Sequence, residues 1–152
     1  MLFRTHASAA ILTGLLFEPG GLFPAERFAY YSIVFLATAL PDIDHENSKI
    51  GRAFPMTSRA INMAFGHRGF FHAIALPAGL WLALSIFVSP PIGAAALIGM
   101  ATHLACDCLT KEGVPLFAPI SSRHVRGFVT TGGLVEQFIF ALILIAITLR
   151  LF

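Results

Sequence analysis

Five stretches of this chain are nearly free of charge, and the segments between them hold almost all of it. The apolar runs cover residues 6–17, 28–40, 71–88, 92–109 and 134–152. The first stops at Glu18-Pro19-Gly20-Gly21, the second at Pro41 and the third at Pro90-Pro91, residue types that interrupt helices. A helix needs about 20 residues to cross a bilayer, with a range near 17–25. Runs three, four and five meet that length. Runs one and two are short, so they are expected to be half-spanning, tilted or re-entrant, or to extend into their flanks. The predicted fold is an all-α, polytopic membrane helix bundle of four to five helices, some short or half-spanning. It is expected to form one membrane-embedded domain over residues 1–152, without internal repeats or low-complexity segments. The first run fits a signal peptide poorly, because His6 heads it and no small-x-small cleavage site follows closely. A retained helix is expected there.

Composition strengthens the membrane reading. Of the 152 residues, 57% are hydrophobic and 12% charged, against about a quarter charged in soluble proteins; the mean hydropathy is +0.80. In water, a chain of this size buries about 68–70% of its surface, which here would leave extensive apolar patches exposed. A disordered chain, a disulfide scaffold and a typical soluble enzyme are thereby excluded. Cys106 and Cys108 are two residues apart, a spacing that points them in different directions on a helix. They read as small packing residues. The net charge of +2 is too small to argue for nucleic acid, so the expected partners are membrane lipids and a small or lipid-linked substrate.

The polar residues depart from this pattern. The chain has six His but only three Asp, namely Asp42, Asp44 and Asp107, and nearly all lie in or beside apolar runs. Ionisable groups at membrane depth point to a functional site. If the five helices alternate in direction, the start of the first (His6), the end of the second (Asp42, Asp44), the start of the third (His67, Arg68, His72), the end of the fourth (His103, Asp107) and the start of the fifth (Glu136) all arrive at one face. That face also receives Arg4, Lys49, Arg52, Arg59, Arg68, Lys111, Arg123 and Arg126, and the opposite one Arg27 and Arg150. The positive-inside rule then makes the polar face cytoplasmic.

His103-x-x-x-Asp107 is the sharpest local motif. The i, i+4 spacing stacks an imidazole and a carboxylate on one helical face, where both can share a metal ion; the plain alternative is a pair that ties helices together. Thr110 falls one turn further along. Pro41-Asp42-Ile43-Asp44-His45 offers two carboxylates and an imidazole at a helix end, a mixture suited to hard or borderline ions, or else a polar turn. Asp42 and Asp44 are not both expected to bind one ion. His67-Arg68-Gly69-Phe70-Phe71-His72 brackets an arginine with two His at a helix start, where Arg68 matches a phosphate or carboxylate; otherwise it is a basic flank. His6 alone reads as a core residue until its position is considered. Glu136 is a candidate general base or outer ligand, or simply a carboxylate favoured at a helix start. His124 reads as loop surface.

Taken in order, His6, Leu40-Pro41-Asp42-Ile43-Asp44-His45 with Ser48, Gly66-His67-Arg68-Gly69 with His72, and His103-x-x-x-Asp107-x-x-Thr110-x-x-Gly113 with Pro119 resemble the YdjM-like family. Its members are bacterial and archaeal inner-membrane proteins described as metal-dependent hydrolases. The family is in turn similar to zinc-dependent phospholipase C and related nucleases, helical bundles acting on phosphoesters. Where the family commonly has Thr before the second His and Ser after it, this chain has Phe71 and Ala73. The resemblance implies a hydrolase using a divalent metal, Zn above all, as one or two ions. Asp42, His72, His103 and Asp107 would form the core of the site, with His6, Asp44 and His67 in a second ion's site or outside the first. Arg68, with Lys49 or Arg52, would hold a substrate anion, and Glu136 would orient water. Two other classes compete. A metal transporter or channel subunit predicts polar residues spread through the membrane depth, whereas these cluster at one end. A structural membrane protein would use the His/Asp set as polar glue and need no metal.

Overall fold

The computed structural model describes residues 1–65 and 70–152. Its helices are α1 (Phe3–Leu16), α2 (Pro24–Ala39), α3 (Lys49–Ala53), α4 (Pro55–Phe65), α5 (Ala75–Phe87), α6 (Pro90–Cys108) and α7 (Leu134–Leu151). Short 3-10 turns at Leu40–Asp44 and Phe70–His72 precede α3 and α5. Among the described residues there is no strand, only two isolated bridges, Thr110 with Val129 and Val114 with Val125. The all-α expectation holds.

Local chemistry sets the boundaries. Pro24 opens α2, four residues earlier than the apolar run suggests; proline suits the first helical position because its missing N–H has no partner there anyway. Glu26 caps that start, its Oε2 accepting from the Phe23 N–H at 2.9 Å. At the other end, Pro41 blocks continuation, and the chain tightens into the 3-10 turn that carries Asp42 and Asp44. Ser48 caps α3, accepting from the Gly51 N–H at 2.8 Å while donating to the Asp42 carbonyl at 2.7 Å.

The third run is shorter than expected. Residues 70–72 form a separate turn and the helix proper is 13 residues, because Pro77 is tolerated only in a helix's first turn. At about 1.5 Å per residue α5 reaches roughly 20 Å, short of the ~30 Å hydrocarbon core. Among the described residues, α6 and α7, at 19 and 18 residues, are the two helices long and apolar enough to cross a membrane. Helix α7 buries Glu136 and leaves Leu134, Phe138, Ile145 and Leu149 exposed, a face suited to lipid rather than water.

Helix α6 is the axis, packed against α2, α5 and α1, while α7 lies on α1. Its contact with α2 is close because Gly99 has no side chain: a Cβ there would run into the Val34 carbonyl and meet Ala37 Cβ at 2.9 Å and the Thr38 nitrogen at 3.0 Å. Small residues at such crossings let membrane helices approach. Ala37, Ala96 and Met100 form one buried cluster here; Ala10, Tyr30, Val34 and Ala95 form the other. Both cysteines are free, Cys106 buried and Cys108 partly so.

Candidate metal centre

The polar residues meet at the end of the bundle where α1 and α7 begin and α2 and α6 finish. His6, Asp44, His72, His103, Asp107 and Glu136 are all buried, and Asp42 is 28% exposed at its side chain.

His103 and Asp107 share a face of α6 as their spacing predicts, with Nε2 and Oδ2 3.5 Å apart. The same His103 Nε2 lies 3.7 Å from Asp42 Oδ1. His72 Nε2 lies 3.9 Å from Asp107 Oδ2, and His6 Nε2 3.2 Å from Asp107 Oδ1. Among the described residues two sets of donor atoms converge, His6–His103–Asp107 and Asp42–His72–His103, each within 4.8 Å. The rings of His6 and His103 stack at 4.1 Å between centroids. The Met1 nitrogen also donates to Asp107 Oδ1, at 2.9 Å.

Hydrogen bonds aim the imidazoles. His103 Nδ1 lies 2.8 Å from the Thr38 carbonyl oxygen. A carbonyl can only accept, so Nδ1 carries a proton and Nε2 is the nitrogen turned toward Asp42 and Asp107. His72 Nδ1 lies at ion-pair distance from Asp44, 3.3 Å from its Oδ2, with Nε2 on the side of Asp107. Asp42 and Asp44 thus divide their roles, one reaching the cluster and the other standing behind a histidine. Asn62 in turn donates to the Asp44 backbone carbonyl at 2.7 Å.

The donor set fits a metal. His103 Nε2 is buried and has no hydrogen-bond partner, although two carboxylates stand within 3.7 Å. A buried ring nitrogen is normally satisfied. A tetrahedral ion with bonds of about 2.0–2.1 Å spaces its donors roughly 3.3–3.4 Å apart, close to the separations here. Imidazole with carboxylate suits Zn among divalent ions. The cluster borders a polar cavity of about 400 Å³, whose walls include His6, Asp42, His45, Lys49, Asp107 and Glu112.

Glu136 is engaged elsewhere. Its Oε1 accepts from the Leu2 N–H at 2.6 Å and the Thr5 hydroxyl at 2.7 Å, and its Oε2 accepts from the Gly132 N–H at 2.6 Å. It binds the start of α7 to the start of α1, satisfying a backbone donor that the helix leaves open. Thr110 donates to the Asp107 backbone carbonyl at 2.7 Å rather than to a candidate ligand's side chain. His124 is exposed in the segment after α6, as expected. His67 and Arg68 lie outside the described residues. The contributions of Thr38 and Asn62 are invisible to motif reading, since neither belongs to the His/Asp set.

The chain belongs to the YdjM inner membrane protein family, whose profile matches residues 1–151. YvsG of Bacillus subtilis (strain 168) is 33% identical over 141 residues, which is 86% of this chain and 88% of that protein. Inner membrane protein YdjM of Escherichia coli (strain K12) is 37% identical over 94 residues, 58% of this chain and 48% of that protein, and its Shigella flexneri namesake matches equally. The match thus spans about half the length of these two relatives. No solved structure matches the chain, so the likeness to zinc-dependent phospholipase C remains an expectation from its motifs. Membership and the two long apolar helices identify an inner-membrane protein.

Proposed function

We propose that this protein is a metal-dependent hydrolase that cleaves a phosphoester in a lipid or lipid-linked substrate, with its site open to the cytoplasm. The observation that carries the reading is His103 Nε2, buried without a hydrogen-bond partner and flanked by the carboxylates of Asp42 and Asp107. Asp42, His72, His103 and Asp107 would hold a divalent ion such as Zn. When bound, such an ion makes water a better nucleophile and polarises the scissile bond.

The chain's own groups do the rest. The Thr38 carbonyl holds a His103 proton on Nδ1, and the Asp44 carboxylate stands 3.3 Å from His72 Nδ1, where its charge favours a proton on that nitrogen. His6 Nε2, on the cavity wall beside Asp107 Oδ1, is placed to hold or pass a proton at the substrate's edge. Lys49, on the same wall with its Nζ 4.6 Å from the Phe3 ring centroid, supplies a positive charge for an anionic substrate. Glu136 serves by fixing α1, and with it His6. The cytoplasmic orientation rests on the excess of Lys and Arg at this end.

The test is metal analysis of the purified protein together with hydrolysis assays on phospholipid and nucleotide phosphoesters. Wild type should hold a transition metal and lose turnover on chelation. A combined Asp42→Leu, His72→Phe, His103→Leu, Asp107→Leu variant should insert and bind no metal. It should be at least as heat-stable as metal-free wild type, because apolar replacement of a buried charged set is often neutral or stabilising. A wild type without metal or turnover, whose cellular role survives the four changes, would make the cluster polar glue.

A further inference from the structure

Helix α4 is built inside out for a protein segment in water. Its eleven residues place Met56, Arg59, Ala60 and Met63 on one face by i, i+3, i+4, i+7 spacing. That face points away from the bundle, with Met56 87% and Met63 77% exposed and neighbouring Phe54 also exposed. Of its polar residues, Ser58 and Asn62 point inward, while Thr57 and Arg59 are exposed. Ser58 is fully buried, and Asn62 bonds the Asp44 carbonyl.

We infer that α4 lies in the plane of the bilayer interface, its methionine face seated among the acyl chains just below the headgroups. Three observations choose lipid as the occupant. First, α4 packs against the turn Leu40–Asp44 that closes α2, so it sits at the end of the bundle, beside the lipid-facing helices of an inner-membrane protein. Second, at about 1.5 Å per residue it is roughly 16 Å long, too short to cross the membrane and long enough to lie on it. Third, the segment carries Lys49, Arg52 and Arg59 against Glu46 alone. Arg59 is 69% exposed and lies 3.4 Å from Glu46. Basic side chains beside an exposed apolar face complement anionic headgroups. Because Asn62 ties α4 to Asp44, the same contact holds the cluster's mouth at headgroup depth. The inference stands whether or not the cluster hydrolyses anything.

Tryptophan quenching tests it. Trp81 is the chain's single tryptophan, so Met56→Trp and Met63→Trp are each placed in a Trp81→Phe background of the full chain. Each is reconstituted in vesicles of phosphatidylcholine and phosphatidylglycerol, with and without bromine on the acyl chains. Both positions are exposed, so neither substitution removes core packing. The expected result is loss of emission in brominated vesicles, greatest with bromine at shallow acyl positions, together with protection from iodide. Quenching by iodide without bromolipid quenching would put the face in water. Protection from both would put a second copy or a partner protein on it. Either outcome overturns the inference.

Discussion

Asp44→Ala separates a residue that binds a metal from one that aims a ligand. Asp44 is fully buried, and its Oδ2 stands 3.3 Å from His72 Nδ1, on the far side of that ring from Asp107. Removing the carboxylate leaves the ring in place but frees its orientation and tautomer. Loss of such an outer partner typically weakens metal binding 10–100-fold, or about 1.4–2.7 kcal/mol. The metal-free protein should also lose about 1–3 kcal/mol of stability, the usual cost of stranding a buried polar group. Asp107→Ala removes a donor itself and should abolish stoichiometric binding. Asp44→Asn keeps an accepting oxygen for the Nδ1 proton and should recover much of the affinity. The assay is competition between purified variants and a chelator of known affinity, with Zn or Co as probe. If Asp44→Ala abolishes binding as completely as Asp107→Ala, Asp44 is a ligand. If it changes neither affinity nor stability, the carboxylate–histidine relay is not acting. Both results refute the assignment.

Gly99→Ala should destabilise the protein by about 1–3 kcal/mol, as overpacking a tight contact usually does, because the added Cβ meets Val34, Ala37 and Thr38. It should also weaken metal binding by drawing the Thr38 carbonyl off His103; an unchanged Tm and metal affinity would show that α2 and α6 do not pack this closely. Glu46→Cys and Ser122→Cys, both at exposed positions at the polar end, should resist a membrane-impermeant maleimide in intact cells and react after lysis; labelling from outside would reverse the orientation. His124→Ala should leave metal content unchanged, since its ring contacts the Glu112 carbonyl in the exposed segment; a loss of metal would bring that segment into the site.

The convergence of the cluster was legible because it follows from connectivity. In a bundle of alternating helices, starts of odd-numbered spans and ends of even-numbered ones share a face, and Pro and Gly mark where each span stops. His103 and Asp107 were legible as a pair for a more local reason, since one helical turn admits few alternatives to a shared face. The division between Asp42 and Asp44 was not legible to the same degree. Spacing of i, i+2 says that they diverge, but which one reaches His103 depends on the 3-10 geometry imposed by Pro41, where successive residues rotate by about 120°. Glu136 was legible only in part for a related reason. A carboxylate near a His/Asp cluster suggests acid–base work, and only the positions of Leu2, Thr5 and Gly132 reveal that both its oxygens accept hydrogen bonds joining the starts of α1 and α7.

Helix α4 shows why apolar periodicity loses its sign at a membrane. In water, an apolar stripe at helical spacing has one destination, the protein interior, because the hydrophobic effect acts against exposure. In a bilayer the hydrocarbon is as apolar as a core, so the same stripe is satisfied facing either way. What decides its direction is then the polar face, which has fewer options. Asn62 finds the Asp44 carbonyl and Ser58 is fully buried, so the methionines are left outside. The same reasoning applies to α6, where the apolar residues on opposite sides are nearly interchangeable but His103 and Asp107 are not. Its rotation is therefore fixed by the polar cluster and by the one glycine that lets α2 approach, rather than by the hydrophobic residues that make up most of its length.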